Sequence, residues 1–130
     1  MSKLTMHQTF VDEKVLANLG RLTKTQADKL PYGVLKLDNS GDIEIYNQYC
    51  YDEFADFEGT NVIGKNYFNE IAPCTKNFMF SGRFDRGIES GEMDFMFDYC
   101  FTYKIMPTNV KVHLYRDQSS DTNWIFLKKV

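Results

Sequence analysis

A chain of 130 residues suits one compact domain, and its 43% hydrophobic and 15% aromatic content, with 11 Phe and 8 Tyr, supplies a real core and argues against intrinsic disorder. A net charge of −3 and a pI near 5.3 give no electrostatic pull toward nucleic acid or an anionic membrane. No apolar run approaches the roughly 18 residues a membrane span needs, so no membrane insertion is expected.

Lys3 is followed by no apolar core, so the N-terminus does not read as a signal peptide. Three widely spaced cysteines, Cys50, Cys74 and Cys100, argue against a disulfide framework and make a reducing cytoplasm the expected location. No CxxC pair is present, and His7 and His113 lie far apart, so no metal is expected. Gly33, Gly41, Gly59 and Gly64 are spaced as turn residues rather than as a phosphate-binding loop.

In chain order, Phe10 to Leu30 reads as one or two short helices. Val15, Leu16, Leu19 and Leu22 recur at helical spacing, with Gly20 as a break. Residues 1–30 are read as a helical cap on a sheet face, with few core anchors, and residues 31–130 as the core. Val34-Leu35-Lys36-Leu37 and Ile43 to Tyr46 form a predicted hairpin around the turn Asp38-Asn39-Ser40-Gly41. Tyr46 to Gly59, rich in aromatics and acids, reads as short helices around a pocket, its acids forming a solvated face. Thr60 or Asn61 is expected to cap a helix carrying Val62 and Ile63.

Asn77 to Ser90 reads as one longer helix, with Phe80, Phe84 and Ile88 on one face and Gly91 as its stop. Met93, Phe95, Phe97, Tyr99, Phe101, Tyr103 and Ile105 then alternate strictly, the strongest strand signal in the chain. Thr108 to Arg116 and Asn123 to Val130 are two further strands. The order predicts an α+β domain, a five-stranded antiparallel sheet with helices mainly on one side, of PAS type.

Cys74 is the residue most suited to chemistry. A free cysteine is most often a small buried hydrophobe. Here Pro73 fixes its own φ and restricts Ala72, so the approach to the thiol is rigid. Thr75-Lys76-Asn77 leads into the predicted helix, whose free N–H groups lower a thiol pKa and can bond an acyl carbonyl. Cys100 reads as structural, facing away from Phe101, and His113 as an exposed or satisfied residue rather than a ligand.

The order Gly33, Leu37-Asp38, Tyr46-Asn47, Val62-Ile63-Gly64-Lys65-Asn66-Tyr67-Phe68, Ala72-Pro73-Cys74-Thr75, Phe101-Thr102-Tyr103, Pro107-Thr108, Val110-Lys111-Val112-His113 and Trp124 is similar to the photoactive yellow proteins, over about residues 30–130. The resemblance implies a non-enzymatic light sensor whose Cys74 carries 4-hydroxycinnamic acid (p-coumaric acid) as a thioester. It signals by trans–cis isomerisation, a change of pigment protonation and partial unfolding, with the N-terminal helices loosening first. It implies a phenolate hydrogen bond from Tyr46 and a pocket of Leu35, Tyr67, Ile71, Pro73, Phe101, Tyr103 and Ile105.

The chain departs from the family at Cys50, where a protonated glutamate is usual four residues after the tyrosine. Spacing of i and i+4 on a helix would let Cys50 share the Tyr46 face and donate in its place. If the extra residue between Tyr46 and Val62 precedes Cys50, Tyr51 takes the position. A thiol is the weaker donor. Losing about 1.5–3 kcal/mol of phenolate stabilisation raises the pigment pKa by roughly one to two pH units. The resting pigment is then partly protonated near neutral pH, or a phenolate with a red-shifted band.

Phe54, Ala55, Asp56 and Phe57 stand where the family has a threonine and an arginine, with Tyr49 or Tyr51 as substitutes. Ile105 replaces a methionine that assists dark re-isomerisation, so recovery is expected to be slow. The partner is an unknown downstream signalling protein, the state a monomer or weak dimer. The rival readings are a PAS-type binding module without pigment and a thiol enzyme, the latter without a motif linking either histidine to Cys74. A flavin-linked sensor would show an Asn-Cys-Arg-Phe motif, which this chain lacks.

Overall fold

The computed structural model describes residues 9–54, 61–102 and 107–130. Five strands, β1 (Gly33–Leu37), β2 (Ile43–Tyr46), β3 (Asp94–Phe101), β4 (Thr108–Asp117) and β5 (Thr122–Lys129), form one antiparallel sheet in the order β2-β1-β5-β4-β3. The helices are α1 (Glu13–Ala17), α2 (Lys24–Ala27), α3 (Gln48–Phe54) and α4 (Ser81–Ser90), with a π-helical turn at Tyr67–Ile71 and a 3-10 turn at Pro73–Thr75.

The central strands are buried on both faces, and their alternation divides the core. Leu35, Leu37, Ile125 and Leu127 join Val110, Val112 and Leu114 of β4 in one cluster, under α3, the π-helical turn and α4. Val34, Trp124 and Phe126 point the other way, where Val11, Leu19 and Ala27 of the N-terminal segment meet them. The helices therefore cover both faces, not mainly one. The N-terminal segment also has core anchors: Leu19 is 2% and Ala27 0% exposed.

Two local expectations change. Val62 and Ile63 lie in a turn, where Asn61 Oδ1 accepts from Ile63 N at 3.0 Å and Gly64 takes φ +87°. The helix starts instead at Tyr67, because Asn66 Oδ1 accepts from Asn69 N (3.1 Å) while Glu70 Oε2 accepts from Asn66 N (2.9 Å), a reciprocal cap. The longer helix begins at Ser81 rather than Asn77. Asn77 Oδ1 accepts from Phe80 N (3.0 Å) and forms the turn that precedes it. Gly91 ends α4 at φ +79°, as the sequence predicts.

Gly87 of α4 faces Met93 so closely that a β-carbon there would lie 2.6 Å from Met93 Cβ and 2.7 Å from its Cγ. Neither atom is the mobile end of a side chain. Gly87→Ala is expected to destabilise by about 1–2 kcal/mol, because overpacking outweighs the roughly 1 kcal/mol gain in helix propensity. A urea unfolding midpoint lower than wild type at unchanged slope checks this.

Candidate functional site: a cysteine at the rim of an aromatic core

Ala72, Pro73, Cys74 and Thr75 form a tight corner after the π-helical turn. Pro73 opens the 3-10 turn, where its missing N–H costs nothing. Thr75, fully buried, returns both its N–H (2.9 Å) and its Oγ1 (2.6 Å) to Ala72 O. Cys74 is a free, half-buried thiol packed against the main core cluster. The expected helix start is not beside it: α4 opens only at Ser81, so its N–H groups do not serve Cys74.

The Cys74 carbonyl is held by side chains instead. Tyr99 Oη donates to it at 2.5 Å and Asn77 Nδ2 at 3.2 Å, while the same Asn77 Nδ2 donates to Tyr99 Oη at 2.5 Å. Burial pushes the Tyr99 phenol above the usual tyrosine range, with a smaller upward push from Cys74. Tyr99 therefore keeps the proton it donates.

Behind Cys74 the core is aromatic. Phe80, fully buried, meets Tyr67 (6.4 Å between ring centroids), Phe68 (6.1 Å), Phe97 (5.5 Å), Tyr99 (5.1 Å) and Phe101 (6.5 Å). Leu35, Tyr67, Ile71 and Phe101 of the expected pocket are all buried in this cluster. Pro73 is exposed at its edge. Tyr103 and Ile105 lie outside the described residues, as do Thr60 and Ala55, Asp56 and Phe57. Phe54 packs edge-on to Phe101 at 5.4 Å.

Tyr46 closes β2, opposite Leu35, and is 2% exposed in the same cluster. The helical reasoning that joined it to Cys50 fails, because Tyr46 is a strand residue and α3 begins at Gln48. Cys50 is nevertheless fully buried in that cluster, brought there by α3 packing on β1. A β-carbon on Gly33 would lie 2.9 Å from its Sγ. Burial drives the Cys50 thiol pKa far up, only partly countered by the backbone groups of Val34 and Asn47. The side chain beside the Tyr46 ring is Tyr51, edge-on at 4.6 Å. Tyr49 is committed elsewhere, its Oη accepting from Lys129 N at 3.1 Å.

Sequence reasoning passed over three contributors. Asn47, fully buried, accepts at Oδ1 from Val34 N (2.9 Å) and Cys50 N (3.3 Å), and donates from Nδ2 to Ala27 O (2.7 Å) and Tyr32 O (3.0 Å). Phe80 and Tyr99 were legible as periodic apolar residues, but not as neighbours of Cys74.

Away from the site, His113 is 1% exposed and satisfied at both nitrogens, by Thr9 Oγ1 (2.7 Å) and Asp94 Oδ1 (2.6 Å). Cys100 is exposed on β3. Among the described residues no three metal-ligating side chains converge, and no helix is long and apolar enough to cross a membrane.

A five-stranded antiparallel sheet with flanking helices over an aromatic core defines a PAS-type fold. A PAS domain of an HTR-like protein from Haloarcula marismortui shares this fold at TM-score 0.57 and 18% identity, over 92% of this chain and all of that one. The photoactive yellow protein domain of the sensor histidine kinase Ppr from Rhodospirillum centenum matches at TM-score 0.79 and 34% identity, over 88% of this chain and 99% of its own. Photoactive yellow protein from Rhodothalassium salexigens is 42% identical over 118 residues, 91% of each chain. That from Cereibacter sphaeroides is 41% identical over 105 residues, 81% of this chain and 84% of its own. No protein-family model matches the chain. The chain belongs to the photoactive yellow protein family, and is a photoreceptor of that type rather than an enzyme.

Proposed function

We propose that this protein senses light through 4-hydroxycinnamic acid carried as a thioester on Cys74. The observation that carries the reading is the place of Cys74: a free, half-buried thiol on a fixed corner, at the rim of an aromatic core that also contains Tyr46. The residues fit such a group. A thiol able to form one covalent bond stands at the edge, apolar rings follow, and phenol and thiol donors lie within the same buried cluster. Attachment joins Cys74 Sγ to the acyl carbon of an activated hydroxycinnamoyl donor, and the donor's leaving group departs with the thiol proton. When bound, the group supplies light-driven trans–cis isomerisation and a ring hydroxyl whose protonation changes.

The chain's residues do the rest. Cys74 and Pro73 fix the anchored end. Tyr46 donates a hydrogen bond toward the ring oxygen, and the depth of its burial makes that bond count. Tyr51 and Cys50 are the candidates for the second donor. Cys50 holds its own proton, because burial makes its thiolate costly. Cys50 is therefore a poor source for a proton reaching the ring oxygen, and uptake from solvent is as plausible a route. The N-terminal segment is tied to the Tyr46 corner through Asn47, which gives a change at that corner a route to the segment and from there to a cytoplasmic signalling partner.

With no carboxylic acid at Cys50, the pigment of the loaded protein is expected to titrate near neutral pH, or to show a red-shifted phenolate band. Absorbance followed from alkaline to acid pH reads this directly. An unshifted phenolate band persisting to strongly acid pH contradicts it. The function itself is tested by loading the protein with a hydroxycinnamoyl donor and illuminating it. A visible band that bleaches and recovers supports the reading, and a protein that takes up no pigment favours a PAS-type binding module.

A further inference from the structure

We propose that Tyr99 and Asn77 form a positioning clasp on the Cys74 main chain, holding the anchor still so that a change of shape in the attached group is expressed at its ring end. The inference rests on the pigment reading above and adds a role for two residues outside the pocket set.

The geometry is specific. Cys74 O receives two side-chain donors, Tyr99 Oη at 2.5 Å and Asn77 Nδ2 at 3.2 Å. The same amide nitrogen lies 2.5 Å from Tyr99 Oη, closing a triangle of three polar atoms around the Cys74 carbonyl. The far side of the Asn77 amide is fixed as well, since Oδ1 accepts from Phe80 N at 3.0 Å. Tyr99 belongs to β3, the edge strand, and its ring packs on Phe80 at 5.1 Å. The corner that bears the thiol is thus bolted to the sheet by Tyr99, set by packing, and by Asn77, set by its own hydrogen bonds.

A carbonyl held in this way fixes the Cys74 backbone and, through it, the direction of the Cα–Cβ bond. If the anchor were free, isomerisation could be absorbed by rotation of the loop. With the anchor held, the opposite end must move, and that end lies toward Tyr46. Tyr99 can hold the carbonyl while it keeps its proton, which burial favours.

The test uses the full chain loaded with 4-hydroxycinnamic acid. Tyr99→Phe removes one hydroxyl and leaves the ring packing. It is expected to retain its pigment band, to lose only the few degrees of thermal midpoint that one hydrogen bond accounts for, and to bleach with a quantum yield clearly below wild type. Asn77→Ala also removes the acceptor of Phe80 N and is expected to lower the midpoint further, so its yield is read against that fall; the double variant is expected to yield no less than the lower single, because both act on one carbonyl. A loaded Tyr99→Phe that bleaches with wild-type yield overturns the clasp. So does a yield that falls only in step with the thermal midpoint. Wild type that takes up no pigment instead overturns the reading on which the clasp depends.

Discussion

Asn47→Ala is expected to lose about 3–5 kcal/mol of stability, a large fraction of what a domain of this size has. One side-chain amide, with no exposed surface, serves four backbone groups. It accepts from Val34 N and Cys50 N and donates to Ala27 O and Tyr32 O. Alanine removes that partner from all four; Ala27 O still accepts from Leu30 N, but a buried group left with no partner costs more than the net value of a bond. Asn47→Asp separates the two halves of the network. It keeps acceptors for Val34 and Cys50 but offers no donor to Ala27 and Tyr32, and it places a charge in the core. Urea unfolding measures both. The expected result is a sharply lower midpoint for alanine at unchanged slope, and hydrogen exchange in residues 9–30 accelerated in both variants. An unfolding free energy within about 1 kcal/mol of wild type would show that water replaces the amide at this position.

The second large effect is all-or-none. Cys74→Ala is expected to abolish pigment uptake, although two other thiols remain. Cys50 is fully buried, with its thiol pKa driven up, so it presents no thiolate to an acyl donor. Cys100 is exposed on the edge strand, but it has no aromatic core behind it to hold the acyl group. Cys50→Ala and Cys100→Ala are therefore expected to load one equivalent each, as wild type does. Uptake by Cys74→Ala equal to wild type would move the anchor to another residue, and intact-mass spectra of the three variants distinguish the cases.

Much of the fold was legible because it is local. The alternation from Met93 to Phe101 marks β3, the Asp38–Gly41 turn fixes the first hairpin, and Phe80, Phe84 and Gly91 mark α4 and its end. What failed depends on partners distant in sequence. Thr60 or Asn61 reads as the cap of a helix carrying Val62 and Ile63, yet Gly64 N donates to Ile43 O and Ile43 N donates to Lys65 O, so the segment is pinned to β2 as a turn. The N-terminal segment showed too few apolar residues to suggest a second core, because Trp124, Phe126 and Val34, which complete it, come from strands much later in the chain.

The site divides in the same way. Cys74 announced itself through Pro73, and Tyr46 through Asn47 beside it. From sequence Tyr51 is only the alternative to Cys50, because the i and i+4 spacing assumes a helix through Tyr46; a strand end followed by α3 sets Tyr51 on the Tyr46 ring. Tyr99 was one of many alternating aromatics. Its hydroxyl on the Cys74 carbonyl is a contact between the edge strand and a corner twenty-five positions away, which no local pattern encodes.

The central claim, a pigment held on Cys74, is tested most directly by incubating the purified full chain with an activated hydroxycinnamoyl donor and recording intact mass and absorbance together. One hydroxycinnamoyl group per chain is expected, mapped to the peptide containing Cys74, with a new band that bleaches under illumination and returns in the dark. An unmodified mass, or an adduct elsewhere in the chain with no light-sensitive band, would contradict it.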